Sequence, residues 1–329
     1  MTAASPDLQP HTFRVRPPTR DDAPAIVDLI AACDRKQYGV ADPYAPEDIF
    51  DDWRRLTLET DAWVIATQQD DRVVGYATLI DHGHGRLDAD GYVHPDAHGH
   101  GIGTMLVRLA EARARELAAQ APDDERIILN NAVILSDNAA RHLLEAHGYT
   151  LVRGFWRMTT ELLEPPPAPQ WPSGIATRAF VLGQDERPTF DATEEAFQDH
   201  WGHVPGDFEK WVDQTRRDDF DPSLWFLALD GDQIAGAALC RYNLGMGWVG
   251  TLAVRRPWRR SGLGMALLRH AFAEFYRRGE RRVGLGVDAQ SLTGATRLYE
   301  RAGMRVTLHV AVYQKELRPG PDLRTHSLA

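Results

Sequence analysis

The sequence predicts a mixed α/β fold laid down twice along one chain, each copy a largely antiparallel sheet flanked by helices. Three observations carry that expectation. The chain has 329 residues, which at roughly 150 residues per domain favours two domains. A proline-dense stretch, Pro165-Pro166-Pro167-Ala168-Pro169-Gln170-Trp171-Pro172, cuts it near the middle and reads as an extended linker. Landmark residues then recur at an almost constant offset: Trp63 and Trp225 are 162 apart, while Gly75 and Gly236, Gly101 and Gly262, and Gly103 and Gly264 are each 161 apart. Gly148 and Gly303 are 155 apart, so a later connection is shorter in the second copy. A repeat of this length means two copies of a domain, with the order β-α-α-β-β-β-α-β-α-β in each.

Each element has a local reason. In the first copy, Phe13–Arg16 is a short strand, and residues 21–32 form an amphipathic helix opened by Asp21-Asp22 with Pro24 in its first turn. Ala62–Thr67 and residues 72–80 make a hairpin around Gln69-Asp70-Asp71. Residues 88–93 form the fourth strand, and a helix follows to about Gln120. In the second copy, residues 174–178 are the first strand and 185–200 the helical region. Residues 224–229 and 233–240 form a hairpin around Asp230-Gly231-Asp232. The fourth strand is 248–254, a long helix runs to about Arg278, and 283–288 is the next strand. The expected division is 1–164, a linker at 165–173, a second domain at 174–317 and a loose tail from Arg318, where Pro319-Gly320-Pro321 stands.

The formal net charge is −10, from 37 basic and 47 acidic residues, which excludes the basic footprint of a nonspecific nucleic-acid binder. The acidity is one-sided: residues 1–164 carry 16 bases against 27 acids, and residues 165–329 carry 21 against 20. Cys33 and Cys240 show neither disulfide nor metal spacing and read as small apolar residues of a reduced protein. No basic-then-apolar leader and no apolar run of membrane length are present, so a cytoplasmic protein is expected.

The chemistry is concentrated after each fourth strand. In the second copy Arg259-Arg260-Ser261-Gly262-Leu263-Gly264-Met265 joins that strand to the long helix. Glycines let the backbone approach a ligand, the helix start offers unpaired N–H groups at its positive end, and Arg259 and Arg260 add phosphate donors. A pyrophosphate suits that arrangement. The first copy has His98-Gly99-His100-Gly101-Ile102-Gly103-Thr104 after Val93, with the two histidines in place of arginine or serine. A plain strand-to-helix turn is the bland reading of one such loop; two in register argue against it. A dinucleotide loop is excluded, because the spacing is G-x-G-x-G and three strands precede it. His82, His84, His94, His98 and His100 crowd this region without an established ligand spacing, and no metal is expected.

With these residues in view, the chain resembles the GNAT superfamily of acyl-CoA-dependent N-acetyltransferases in its tandem form. Arg259–Gly264 matches the family's R/Q-x-x-G-x-G/A signature, and Ala295-Thr296-Arg297-Leu298-Tyr299-Glu300-Arg301-Ala302-Gly303-Met304 is similar to its A-x-x-L-Y-x-x-x-G-F segment. The second half is most similar to the mycothiol synthase-like members. The resemblance implies acetyl-CoA as cosubstrate and a V-shaped opening between the fourth and fifth strands. Leu252, Ala253 and Val254 would hold the pantetheine arm, the loop Arg259–Met265 the pyrophosphate, and Arg255-Arg256 the 3′-phosphate. Tyr299 would be the general acid that protonates the leaving thiolate. The residue-level alternative is an aromatic packed on the sheet. Leu144 stands where Tyr299 does, so the first copy is expected to bind CoA at most.

Two positions depart from the mycothiol synthase-like pattern: Trp248 occupies the fourth-strand place of a carboxylate base, and Ser291 the place of an asparagine. For the acceptor side the sequence offers Glu195, Asp199, His200 and His203 beside Phe197 and Trp201; a solvated helix end is the bland alternative. The expected partner is a small-molecule amine, with no nucleic acid and no membrane, in a monomer or homodimer. A non-catalytic acyl-CoA sensor, or a transferase acting on a protein amine or an aminoglycoside-like drug, are the other readings.

Overall fold

The computed structural model describes residues 13–198, 200, 203, 205–217, 219–291 and 294–321. Its chain forms two compact units, the first of which is not a single stretch. One comprises the described residues up to Arg153 together with those from Val310; the other runs from Gly154 to His309.

The first unit contains β1 (Phe13–Arg16), α1 (Ala23–Tyr38), α2 (Pro46–Trp53), α3 (Leu58–Asp61), β2 (Ala62–Thr67), β3 (Val73–Asp81), β4 (Arg86–Val93), α4 (Ile102–Ala118), β5 (Ile127–Ile134) and α5 (Asn138–Ala146). The chain then enters β6 (Thr150–Glu161). The second unit continues with β7 (Ile175–Ala179), α6 (Glu186–Phe197), α7 (Phe208–Val212), β8 (Trp225–Asp230), β9 (Gln233–Asn243), β10 (Met246–Val254), α8 (Leu263–Arg277), β11 (Arg282–Asp288) and α9 (Ala295–Arg301), and the chain then enters β12 (Arg305–Arg318), which from Val310 belongs to the first unit. The expected elements are present. The helix expected over residues 21–32 runs on to Tyr38, because Arg35 and Lys36 favour its negative end and Gly39 ends it in a left-handed turn.

In both copies an arginine of the first strand clamps an aspartate at the start of the first helix region. Arg16 donates from Nη1 and Nη2 to Asp22 at 2.6 Å each, and Arg178 donates from Nη2 to Asp185 Oδ1 at 2.8 Å. Fork-to-fork geometry of this kind fixes an angle as well as a distance.

The sheet of the first unit has the order β1-β2-β3-β4-β5-β12, and that of the second β7-β8-β9-β10-β11-β6. Neighbours are antiparallel except for β4 with β5 and β10 with β11. Each last strand therefore completes the sheet made by the other half of the sequence. β12 pairs with β5 from Val310↔Ile134 to Arg318↔Ile127, and β6 pairs with β11 from Arg282↔Glu161 to Asp288↔Phe155. The linker lies inside the second unit, where Trp171 packs edge-on against His270 with ring centroids 5.6 Å apart.

Each sheet has an apolar core on both faces. In the first unit Ile65, Leu79 and Leu129 pack under Leu106 and Ala110 of α4, while Val64, Ala66 and Tyr76 pack under Ile26 and Leu29 of α1. In the second unit Val249, Val283 and Leu285 meet Leu267, Leu268 and Phe275 of α8, and Leu227, Ala237 and Leu239 meet Ala192 of α6.

The exchanged strand is held deeply. Tyr313 of β12 is 1% exposed in the core of the first unit; its hydroxyl accepts from Arg141 Nε at 3.1 Å and donates to Glu145 at 2.9 Å. Lys315 donates to Glu111 at 2.8 Å and to the His147 carbonyl at 2.7 Å. Arg318, expected to open a loose tail, instead ends β12 and donates to the carbonyls of Glu125, Ala118 and Pro122 at the end of α4. The rest of the expected tail beyond Pro321 lies outside the described residues.

Truncating Tyr313 tests whether this strand belongs to the first unit's core. Tyr313→Ala is expected to lower unfolding stability by about 3–5 kcal/mol in a urea titration, the range for a buried aromatic cut to alanine. Tyr313→Phe loses only the hydroxyl's bonds, about 1 kcal/mol. An alanine variant as stable as the phenylalanine variant would contradict the assignment.

Candidate functional site

The site begins with two parallel strands that part. β10 and β11 pair only at Gly247↔Val283 and Trp248↔Gly284. Beyond that rung β10 continues along β9 alone and β11 along β6 alone. Their facing edges, residues 249–254 and 285–288, therefore bound a V-shaped opening in which backbone groups lack a strand partner. β10 also carries a bulge against β9 between Val249 and Thr251, which adds Gly250 and alters the direction of the edge just above the last rung. Leu252, Ala253 and Val254 lie above the bulge.

At the wide end of the V the chain turns into α8. Arg260 and Gly262 are left-handed, with φ of 63° and 92°. A Cβ at Gly262 would meet nothing within 4 Å, so the turn faces open space. The first helical bond runs from Ala266 N–H to the Gly262 carbonyl at 3.1 Å. The N–H groups of Leu263, Gly264 and Met265 consequently have no partner within the helix and sit at its positive end. Ser261 donates its hydroxyl to the Trp258 carbonyl at 2.7 Å, which braces the turn. A diphosphate fits this cradle of backbone donors.

The arginines divide their work differently from the expectation. Arg259 donates to the Val254 carbonyl at 3.2 Å and to the Ala196 carbonyl at 3.0 Å, so its guanidinium ties the end of β10 to the end of α6. Arg255, expected to face a phosphate, donates to Glu195 at 2.7 Å and to the Ile234 carbonyl at 3.0 Å. Glu195, expected on the acceptor side, is thereby engaged in an ion pair. Arg260 is exposed beside the cradle.

Tyr299 lies on α9, with its side chain in the core cluster under β11 and only 8% of the residue exposed. Burial pushes its phenol up to about 12. Its hydroxyl has no hydrogen-bond partner among the described residues. The group is a neutral proton donor at physiological pH.

The other acceptor-side residues are less convergent. The His200 ring lies tilted by 44° against that of Phe197 with centroids 4.2 Å apart, and His203 Nε2 lies 3.7 Å from Glu194 Oε2. Asp199 and Trp201 lie outside the described residues. Ser291 caps the end of β11 through its N–H, which donates to the Asp288 carbonyl at 3.0 Å.

The first unit repeats the frame with different contents. β4 and β5 pair from Arg86↔Ile128 to Ala89↔Asn131 and then part. Gly99 and Gly101 are left-handed at 82° and 80°, the positions of Arg260 and Gly262, and Met105 N–H bonds the Gly101 carbonyl at 3.0 Å. Ile102, Gly103 and Thr104 thus present the same donors. His98 Nε2 lies 3.1 Å from the Val93 carbonyl, which reproduces the contact of Arg259 with Val254. His100 has its ring 6.5 Å from that of Phe13.

Two features are missing from it. β4 pairs with β3 without a bulge up to Gly75↔Val93. Leu144 occupies the place of Tyr299: Tyr149 N–H bonds the Leu144 carbonyl at 3.0 Å as Met304 N–H bonds that of Tyr299 at 3.0 Å. A polar network instead fills the other face at the crotch of the V. Asp88 accepts from Asn130 at 2.8 Å and Arg86 at 2.8 Å, with His82 Nε2 at 3.1 Å, and Asn130 accepts from Gln314 of β12 at 2.9 Å. Sequence reasoning missed this network, because Gln314 lies 184 residues from Asn130.

A model of the acetyltransferase (GNAT) family matches residues 24–149 and again residues 187–304, so each parted-strand frame falls within a match. The chain belongs to the GNAT acetyltransferase family. With that family it is an acyl-CoA-dependent N-acetyltransferase. A mycothiol acetyltransferase of Streptomyces scabiei is 32% identical over 239 residues, covering 70% of this chain and 72% of the relative. Another from Catenulispora acidiphila is 28% identical across 91% of this chain and 97% of its own length. Among solved structures, a GCN5-related N-acetyltransferase from Sphaerobacter thermophilus superposes with a TM-score of 0.85 at 42% identity, covering 96% of this chain and 99% of that one. A tandem GNAT protein from the clavulanic acid biosynthesis pathway has a TM-score of 0.71 at 19% identity, covering 94% of this chain and all of its own, which speaks for the fold alone.

The network in the first GNAT unit gives a pH-dependent expectation. Burial alone would raise the Asp88 carboxyl, but its bonds from His82, Arg86 and Asn130 outweigh that and hold it below the usual range. A carboxyl lowered on folding adds stability above its unfolded pKa and loses it as pH falls towards the folded value. Asp88→Asn should therefore cost about 1–3 kcal/mol at neutral pH. The difference from the parent should shrink as urea titrations are taken below about pH 4. A gap that widens in acid would contradict the charge-based account.

Proposed function

We propose that this chain transfers the acetyl group of acetyl-CoA to a primary amine of a small molecule, by direct attack within a ternary complex in the second unit. The observation that carries the reading is the coincidence in that unit of the donor cradle, the bulged open edge of β10 and, on α9, Tyr299, whose hydroxyl has no hydrogen-bond partner among the described residues. The mycothiol acetyltransferase relatives support a small-molecule acceptor, and the free thiols Cys33 and Cys240 suit a reducing cytoplasm.

The residues divide the task by charge and position. The N–H groups of Leu263, Gly264 and Met265, with Arg260 beside them, hold the diphosphate. The open edge from Leu252 to Val254 offers its backbone to the pantetheine arm. Acetyl-CoA supplies the activated acyl carbon. A backbone N–H at the Gly250 bulge steadies the negative charge that gathers on the thioester oxygen. As the C–N bond forms and the C–S bond breaks, the amine nitrogen gives its proton to water, and Tyr299 gives one to the thiolate and regains it from solvent. The first unit has the cradle but no such donor, so the same argument makes it a site that binds acyl-CoA without turning it over.

Tyr299→Phe separates the acid from the packing, since it removes one oxygen from an otherwise unchanged ring. Thiol release with the best acceptor from an amine panel should fall by about 10²-fold or more while acetyl-CoA affinity is kept. Unchanged turnover would remove Tyr299 from the mechanism. Saturable acetyl-CoA binding with no turnover of any amine would favour a sensor.

A further inference from the structure

Trp248 stands at the last rung shared by β10 and β11, opposite Gly284. Its neighbour Gly247 faces Phe275 of α8, so alternation along the strand sends the indole to the opposite face of the sheet. On that face its cross-strand partner on β9 is Arg241, and its partner on β11 is Gly284, which has no side chain. A Cβ at Gly284 would come within 2.9 Å of Cζ3, one at Gly286 within 3.9 Å of Cζ2, and one at Gly250 within 3.9 Å of Cδ1. Three glycines thus frame one indole, two of them (Gly250 and Gly286) exposed and Trp248 itself half-buried. Trp248 belongs to neither apolar core cluster of its unit. An indole bordered by three glycines, at the crotch of the V and outside both core clusters, is a surface that can receive another flat group.

The first unit shows what the same rung does when it is closed. Asp88 stands at the position of Trp248 and Asn130 at that of Gly284, joined by a 2.8 Å bond and backed by Gln314. Polar groups that satisfy one another leave no interest in a ligand. The second unit replaces them with an aromatic face and an absent side chain.

We propose that Trp248 is the floor of the acceptor pocket and selects amines whose carbon skeleton presents a flat ring face, aromatic or sugar, beside the attacking nitrogen. The proposal rests on the acetyl-transfer reading for where the amine must sit, and it adds the class of acceptor. Gly284 and Gly286 are part of the device, since any side chain there would meet or cover the indole.

The test is an equilibrium titration of the full chain, saturated with CoA, with 2-phenylethylamine, glucosamine and ethanolamine. At least one ring amine should bind about ten-fold or more tightly than ethanolamine, and which one does so separates an aromatic from a sugar acceptor. Trp248→Ala should erase the preference and Trp248→Phe should keep most of it. Gly286→Leu, at an exposed extended position, should erase it by covering the ring while Trp248 itself is unsubstituted. Equal binding of all three amines, or a preference that survives both Trp248→Ala and Gly286→Leu, would overturn the proposal. Ring-selective binding without thiol release would contradict the transfer reading and leave the platform standing.

Discussion

The structure depends on a shortage of hydrogen-bond partners. Parallel strands that shared a full ladder would satisfy each other; β10 and β11 share two rungs and then separate. A backbone edge left open inside a sheet is costly unless water or a ligand completes it. Most of what surrounds the opening serves to keep it open and placed. Arg259 ties the tip of β10 to α6, the bulge at Gly250 turns the edge, and β6 holds β11 from its far side. The left-handed turn at Arg260 and Gly262 then sets a helix start, with its unpaired N–H groups, at the mouth.

Both copies keep the frame, and the side chains set on it differ. The loops agree in the handedness of two residues each, although His98, Gly99 and His100 replace Arg259, Arg260 and Ser261. Binding of a diphosphate needs backbone shape, which tolerates those exchanges. Proton transfer and acceptor placement need particular side chains, and Leu144 and Asp88 stand where Tyr299 and Trp248 do. The acidic excess of the first half also works against a polyanionic ligand there.

The order of elements, the repeat, both glycine loops and Tyr299 were legible because each rests on local signals: periodicity, turn residues and short motifs. The exchange of β6 and β12 was not, since a strand's own pattern says that it pairs but not with which partner, and β5 and β12 are about 180 residues apart. The fate of the charged side chains was illegible for the same reason. Arg255 and Glu195 each read as ligand-facing groups until the fold set them 2.7 Å from one another. Trp248 was legible as a departure from a carboxylate, but its meaning came from Gly284 and Gly286 on another strand.

In the proposed function one frame does chemistry and the other does not. Replacing the left-handed cradle glycine with valine in each copy tests it most directly, because a β-branched residue is strained there and blocks the loop in the same way in both. Steady-state thiol release by the full-length protein is the measurement. The account predicts that Gly262→Val abolishes turnover while Gly101→Val leaves kcat within about two-fold of the parent. Loss of turnover in Gly101→Val, with Gly262→Val still active, would contradict it.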